Sequence, residues 1–210
     1  MATATKPKPT DQAAPDKLWS RFRVSFTLDR LVGGIPASSK TMEAWLDKSE
    51  ITGPAREEQT DQLTRNDNAE LHSVVFWRTK DGAPAYEGRC LKAGLKEAAN
   101  VLKTLLNKTA YRSKLAERVF VEEKFVLITN AIQSESRPIS VMTAKGPRTS
   151  LKNYEFVEDQ SFTFHLRVLN DDVFHEEELR TLFEYMQDNG LGADRSQGSG
   201  TFTLNEFVAL

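Results

Sequence analysis

Apolar and polar residues alternate strictly in two separate stretches of the chain. Every second residue is apolar from 22 to 28 and again from 162 to 168. Successive side chains of a β-strand point to opposite faces, so this period of two predicts a half-buried strand in each stretch. Residues 71–78 predict a strand buried on both faces, because its centre is a continuous apolar run, and residues 201–208 predict a final strand.

Other stretches repeat apolar residues at the spacing of an α-helix. Residues 91–106 place four leucines and an alanine on one face, and residues 179–186 form a second helical face that ends before Gly190. A short helix is predicted after Ser38 or Ser39. Residues 119–128 predict a pair of strands joined by a turn at 122–124, and a further short strand is predicted at 139–142.

The predicted order is strand-helix-strand-helix, then a hairpin, then strand-helix-strand. This order predicts an α+β fold, in which an antiparallel sheet carries helices on one face. We interpret residues 18–210 as one domain, because 210 residues suffice for a single large core. Residues 1–17 contain no large apolar side chain after Met1 and predict a disordered tail. The acidic stretch at 49–70 predicts a long inserted loop.

Composition narrows the setting of the protein. The single cysteine excludes an intrachain disulfide and favours a reducing compartment. The chain has no apolar run near the roughly 20 residues of a membrane helix, and its first residues lack the apolar stretch of a signal peptide. We therefore expect a cytoplasmic protein that does not enter a membrane. The net charge of −2 argues against coating nucleic acid through bulk charge, so a nucleic-acid surface would have to be a local patch.

A glycine-rich loop between the last helix and the last strand is the most informative segment. Its notable residues are Gly190, Gly192, Arg195, Ser196, Gly198 and Gly200. Glycine permits close approach of another backbone, and such loops can present N–H groups to phosphates. The segment is neither a dinucleotide-binding fingerprint nor a Walker A loop, because it lies in neither context. A turn that merely connects the last helix to the last strand explains the glycines equally well.

A basic patch follows Gly88. Residues 89–118 contain eight basic and two acidic residues, a local net charge of +6. Lys92, Lys96 and Lys103 fall on one side of the predicted helix, within roughly 40° of one another. With Arg89, these residues are the candidate phosphate contacts. An ordinary solvated helix face is the alternative interpretation.

These two segments carry a family resemblance. The sequence from Glu87 to Lys96 resembles the Pro-Gly-Ser-Ser-Leu-Lys-Gly-x-x-Arg segment of the RAMP superfamily, the RRM-like subunits of CRISPR effector complexes. The sequence Gly-Leu-Gly-Ala-Asp-Arg-Ser-Gln-Gly-Ser-Gly-Thr-Phe from Gly190 resembles the family's terminal glycine-rich loop. Arg89 and Cys90 stand where the family has small hydroxyl residues. A CRISPR subunit and a remote relative encoded by a virus or mobile element both fit these motifs.

The resemblance implies an RRM-like, ferredoxin-type core with a thumb inserted at about 49–70. It also implies that single-stranded RNA or DNA binds to Arg89, Lys92, Lys96, Lys103 and Arg195, and that protomers assemble with themselves or with partner subunits. No cofactor or metal is implied. Two alternatives stay open: a structural protein that keeps this fold without nucleic acid, and a metal-independent ribonuclease.

Candidate catalytic residues are sparse. His72, His165 and His175 have no partner at metal-ligand spacing. Cys90 is predicted at a helix N-terminus beside basic residues, a setting that lowers a thiol pKa, but the sequence places no base near it. Asp29 stands near an early glycine turn, as the aspartate of RNA-cutting relatives does. We therefore favour a non-catalytic binding protein.

Overall fold

The computed structural model describes residues 18–36, 74–143 and 146–210. The predicted tail at 1–17, the short helix after Ser38 or Ser39 and the inserted loop at 49–70 lie outside the described residues. His72 and the first three residues of the predicted strand 71–78 lie outside them as well.

The described part of the chain contains ten strands and three α-helices. The strands are β1 (Trp19–Val32), β2 (Ile35–Pro36), β3 (Val74–Val75), β4 (Trp77–Arg78), β5 (Pro84–Glu87), β6 (Val119–Val121), β7 (Phe125–Leu127), β8 (Gln133–Thr143), β9 (Gly146–Leu169) and β10 (Phe202–Ala209). The helices are α1 (Gly88–Leu102), α2 (Tyr111–Arg118) and α3 (Glu176–Asn189). The fold is therefore a mixture of helices and a multistranded sheet, of the α+β type.

Strand β9 organises the main sheet. Its C-terminal half pairs antiparallel with β1, and β10 flanks β1 on the other side. β6 pairs antiparallel with β9 at residues 166–168, and β8 pairs antiparallel with residues 146–156 of β9. The contact between β3 and β9 at Tyr154 is parallel. Strands β4, β5 and β7 form a separate antiparallel sheet of three strands.

The alternation in β1 and β9 produces the core. Phe26 of β1 stacks on Phe202 of β10, with ring centroids 4.3 Å apart, and its other neighbours are Phe162 and Phe164 of β9. These rings point to the face of the sheet on which α1 and α3 pack. The opposite positions of β1 are polar and remain partly exposed. The period of two in the sequence thus predicted the buried face.

Helices α1 and α3 approach each other closely at Gly94. A Cβ atom added to this glycine would lie 2.8 Å from the Met186 side chain of α3 and 3.2 Å from that of Leu191. The small residue in α1 therefore allows the end of α3, and the loop that follows it, to lie directly against α1. This contact positions the candidate site.

The structure corrects three details of the sequence-based prediction. Strands β6 and β7 do not form the predicted pair, because β6 joins β9 in the main sheet and β7 joins β5 in the small one. The short strand predicted at 139–142 belongs to a long hairpin of β8 and β9. Helix α1 begins and ends a few residues earlier than the predicted 91–106.

Among the described residues, helices of the length and apolar character that a membrane crossing requires are absent.

Candidate nucleic-acid interface

The glycine-rich loop and the first half of α1 lie side by side, although about 100 residues separate them in the sequence. Arg195 Nη1 of the loop contacts Glu97 Oε2 of α1 at 2.8 Å. The Gly192 N–H donates a hydrogen bond to Tyr86 Oη at 3.1 Å, just before α1 begins. The structure therefore brings together the two segments that the sequence singled out.

A half-open cavity of about 410 Å³ lies between them. Its wall is largely apolar and aromatic, formed in part by Phe76, Trp77, Tyr86, Cys90 and Leu191. Arg89 and Arg195 also line it, each close to a glutamate. A cavity of this size can hold a group as large as a nucleobase or a side chain.

Burial raises the pKa of two groups in that wall, Tyr86 and Cys90. It raises the pKa of the Tyr86 hydroxyl above its usual range, with a smaller contribution from Cys90. Burial also raises the pKa of the Cys90 thiol, and the carboxylate of Glu87 adds to this effect. The prediction that the setting of Cys90 lowers its pKa was wrong, because desolvation outweighs the positive charge of Arg89.

The backbone N–H groups of the loop are mostly bonded, to the loop itself and to the elements around it. Eight of its eleven N–H groups donate within the protein, namely those of Gly190, Leu191, Gly192, Ala193, Gln197, Gly198, Ser199 and Gly200. The other three N–H groups of the loop, at 194–196, have no acceptor among the described residues. A cradle of many free N–H groups, as the sequence suggested, is therefore not what the glycines supply.

Close packing explains the glycines instead. A Cβ atom on Gly200 would lie 1.8 Å from the carbonyl oxygen of Leu191, which is far inside van der Waals contact. A Cβ atom on Gly192 would lie 2.6 Å from the carbonyl oxygen of Val32 in β1. The loop folds back on itself and onto β1, so its shape is fixed before any ligand binds.

The predicted phosphate contacts differ in their surroundings. Arg89 forms a paired contact with Glu87 at 2.6 Å, and Arg195 is held by Glu97. Both arginines are well exposed, and exposed ion pairs contribute little to stability, so a phosphate can replace either carboxylate at small cost. Lys96 makes no ion pair with any described residue.

Lys92 and Lys103 have different environments, although they share a side of α1. Lys92 Nζ donates to the carbonyl oxygen of Ala116 at 2.8 Å and lies 4.0 Å from the centre of the Phe120 ring. Burial lowers the pKa of Lys92, and the charge of Lys96 lowers it further. Lys103 is exposed and contacts only the amide of Asn100 at 3.4 Å among the described residues. Lys92 thus faces a groove beside β6, whereas Lys103 faces solvent.

The sequence did not indicate a second basic cluster, at the base of the β8–β9 hairpin. Arg137 of β8 and Lys152 of β9 contact Gln197 and Asp194 of the glycine-rich loop at 3.1 and 3.3 Å. Arg30 at the end of β1 completes the cluster. The sequence of the hairpin has no clear periodicity, so only a short strand was predicted there and these residues were not singled out.

The candidate catalytic residues have structural partners. Asp29 Oδ2 accepts a hydrogen bond from Thr201 Oγ1 at 2.8 Å and so fixes the start of β10. His165 Nδ1 lies 2.6 Å from Glu123 Oε1. No group of three or more metal-binding side chains occurs among the described residues. His175 is exposed at the start of α3.

These features define an α+β protein with a basic helix face and an ordered glycine-rich loop. Neither a known protein-family model nor a curated protein matches the sequence. The fold resembles a chain in the cryo-EM structure of the Type III-B Cmr-beta bound to cognate target RNA, with a TM-score of 0.54 and 14% identity over 91% of this chain. The match spans only 61% of that chain. At this identity, the likeness concerns the fold.

Proposed function

We propose that this protein is a non-catalytic subunit that binds single-stranded RNA and assembles with copies of itself or with partner subunits, in the manner of backbone subunits of CRISPR effectors. The observation that carries the proposal is the contact between α1 and the glycine-rich loop. Arg89 and Arg195 line the cavity between these two segments, and we expect Lys96 on the adjoining face of α1 to extend the same surface.

The topology supports an RRM-like arrangement for this proposal. Along the main sheet the strands run in the order β10, β1, β9, β6, and each of these pairings is antiparallel. Helix α1 lies between β1 and β6 in the sequence, together with β2–β5 and α2, and α3 lies between β9 and β10. With the other strands and α2 set aside, this order is similar to the β-α-β-β-α-β succession of ferredoxin-like proteins, which supports the proposal. The fold likeness to a chain from an RNA-bound Cmr-beta structure points in the same direction.

The electrostatics of α1 favour phosphate binding over a purely solvated face. Lys96 and Lys103 are cations without an acidic partner among the described residues. Arg89 and Arg195 are exposed cations held by carboxylates, and a phosphate competes with a carboxylate for a guanidinium fork. The patch is local, because the whole chain has a net charge of −2. Binding should therefore weaken steeply with salt.

The test is the salt dependence of binding to a fluorescein-labelled 20-nucleotide polyuridylate, measured by fluorescence anisotropy. Replacing Lys96 and Lys103 by glutamine should reduce the slope of log K against log salt by about 1.4, since each phosphate contact on a single strand contributes about 0.7. Both side chains are exposed enough for the fold to persist, which circular dichroism would verify.

The matched control is Lys80→Gln, which removes one exposed lysine from the turn between β4 and β5. It should leave the slope unchanged, because Lys80 lies outside the basic patch. If the double variant keeps the slope of the wild-type protein, α1 does not contact the strand. If the wild-type protein binds no oligonucleotide, the proposed function itself is wrong.

A structural protein without nucleic acid is the second candidate, and one observation favours it. The loop N–H groups are mostly used internally, and both arginines at the cavity already have carboxylate partners. This candidate predicts that the untagged protein elutes from size exclusion without nucleic acid. A large species with high absorbance at 260 nm that shrinks after RNase treatment would exclude it.

A further inference from the structure

Three cations and two aromatic rings meet at the base of the β8–β9 hairpin. The Arg30 guanidinium lies 3.8 Å from the centre of the Phe156 ring, and the Arg137 guanidinium lies 5.0 Å from that of Tyr154. Lys152 Nζ is 5.8 Å from the Tyr154 ring. We call these five residues the hairpin-base cluster.

Two hydrogen-bond donors of the hairpin-base cluster are buried without an acceptor. They are the hydroxyl of Tyr154, a residue only 2% exposed, and Nε of Arg30, and neither finds a partner among the described residues. Buried donors are nearly always satisfied in folded proteins, so each exception calls for an explanation. Two exceptions in one cluster indicate a missing acceptor.

The charges of the cluster point to an anionic acceptor. Glu135 contacts both Arg30 and Arg137, at 2.5 and 2.9 Å, and Asp194 holds Lys152 at 3.3 Å. Among the described residues, three cations thus share two carboxylates, which leaves a surplus of one positive charge. The hydroxyl of Tyr154 stays protonated at neutral pH, because burial raises its pKa, and it can therefore donate to an oxyanion.

We propose that the hairpin-base cluster binds a phosphate group, with Tyr154 and Arg30 as the buried donors and Arg137 and Lys152 as the charged rim. Arginine recognises phosphate oxygens through paired hydrogen bonds. The side chains of Lys152, Arg30 and Arg137 are 24%, 28% and 38% exposed, so they can reach an incoming strand. A phosphate would displace Glu135 from one of its two arginines and supply the acceptor that the buried donors lack.

The hairpin-base cluster lies next to the surface of the proposed function. Its assignment to a nucleic-acid phosphate rests on that proposed function. The glycine-rich loop contacts α1 through Arg195 and contacts the cluster through Asp194 and Gln197. A strand held by α1 can therefore continue across the loop to the hairpin base. A free phosphate ion offers the same oxygens, so the experiment must separate the two sources.

Tyr111 provides a matched control within the same chain. Its hydroxyl is also buried, at 1% exposure, and also lacks a partner among the described residues. The charged neighbour of Tyr111 is Glu178. Burial is the main cause of the raised pKa of Tyr111, and the carboxylate of Glu178 raises it further. An acidic neighbour repels phosphate, so the Tyr111 hydroxyl should not take part in binding.

The experiment compares Tyr154→Phe with Tyr111→Phe in the full chain. Binding of the labelled 20-nucleotide polyuridylate is measured by anisotropy, and thermal unfolding is recorded with and without inorganic phosphate. We expect Tyr154→Phe to bind the oligonucleotide about tenfold more weakly, the usual effect of losing one hydrogen bond to a charged group. Tyr111→Phe should bind as the wild-type protein does. Neither change should lower Tm, because neither hydroxyl has a partner to lose.

Each outcome decides the assignment. Selective weakening of oligonucleotide binding by Tyr154→Phe supports a strand phosphate. Loss of stabilisation by inorganic phosphate, with oligonucleotide binding unchanged, assigns the cluster to a free phosphate. Wild-type behaviour of Tyr154→Phe in both measurements overturns the proposal. If the wild-type protein binds no oligonucleotide, the proposed function fails, whereas the response to inorganic phosphate still decides this site.

Discussion

The two ends of the glycine-rich loop meet surfaces of opposite character. Towards α1, the buried polar groups are satisfied, as in the hydrogen bond from Gly192 to Tyr86, and each arginine has its own glutamate. Towards the hairpin, two buried donors are unsatisfied, and three cations share two carboxylates. The buried groups of the first surface are paired, and its unpaired cations, Lys96 and Lys103, lie on the outer face of α1, whereas the second surface keeps two buried donors without an acceptor among the described residues.

This difference teaches where to look for a ligand. The segment that resembled a binding motif in the sequence is mainly a rigid packing element, as the close approaches of Gly200 and Gly192 indicate. The strongest local signal for a bound group comes from side chains that the sequence did not indicate, Arg30 and Tyr154. Rigid placement of the loop still matters, because the loop supplies Asp194 and Gln197 to the hairpin base.

The largest expected effect tests the rigidity of the loop. Gly200 has a φ of +84°, and a Cβ atom there would meet the Leu191 carbonyl oxygen at 1.8 Å. Gly198 has a nearly identical φ of +83°, but open space surrounds it. Gly198→Ala measures the cost of backbone strain alone, and Gly200→Ala adds the cost of steric overlap with the Leu191 carbonyl oxygen. We expect Gly198→Ala to lower the free energy of unfolding by about 1 kcal/mol and Gly200→Ala by about 4 kcal/mol or more.

Urea denaturation monitored by tryptophan fluorescence measures both values. Similar losses for the two variants would mean that the loop can shift away from the added methyl group. In that case it could not hold Asp194 and Gln197 in place for the hairpin-base cluster, and the contrast between the two surfaces would weaken.

A smaller effect distinguishes the two tyrosines that flank the loop. Tyr86 accepts a hydrogen bond from the Gly192 N–H, so Tyr86→Phe leaves that N–H without an acceptor at a partly buried position. The expected cost is about 2 kcal/mol. Tyr154→Phe removes a hydroxyl that has no partner among the described residues and should leave stability unchanged or raise it. The same urea titration applies, and equal destabilisation of the two variants would contradict the comparison.

Local patterns predicted the parts of this fold that are local. The period of two in β1 and β9 located Phe26, Phe162 and their buried neighbours, and the helical spacing located α1 and α3. The β8–β9 hairpin was missed, because a two-stranded arm with a polar sequence has no single buried face to impose alternation. The hairpin-base cluster was missed for the same reason, since Arg30 and Tyr154 meet only through the register of the sheet.

The sequence singled out two segments that lie side by side, α1 and the glycine-rich loop, but not the contacts that their side chains make. The sequence singled out Lys92 and Arg195 as neighbours of phosphate, and the structure places Arg195 at the cavity between the loop and α1 but Lys92 at a groove beside β6. The sequence could not show that Lys92 Nζ donates to the Ala116 carbonyl or that Arg195 contacts Glu97, because these contacts depend on how α2 and the loop after α3 pack against α1. Their role in nucleic-acid binding stays a prediction.

The smallest expected effect is the acid sensitivity of the hairpin base. Hydrogen bonds from Arg137 and then Arg30 lower the pKa of Glu135 below its usual value of 4.5. The ionised carboxylate therefore stabilises the folded state above pH 4.5, and this contribution disappears as the pH falls through the lowered pKa. Glu135→Gln should remove it, so that the stability of the variant falls less between pH 5 and about pH 3 than that of the wild-type protein.

The control for that measurement is Glu122→Gln on the polar face of the sheet. The pKa of Glu122 is also lowered, chiefly by its hydrogen bond with Arg21, but Glu122 lies outside the hairpin-base cluster. Both variants should flatten the acid limb of stability. Only Glu135→Gln should also alter phosphate binding at neutral pH. This substitution should strengthen phosphate binding, because it removes the carboxylate that competes for Arg30 and Arg137. If Glu135→Gln weakened phosphate binding instead, Glu135 would be a ligand-orienting group rather than the competitor that an incoming phosphate displaces.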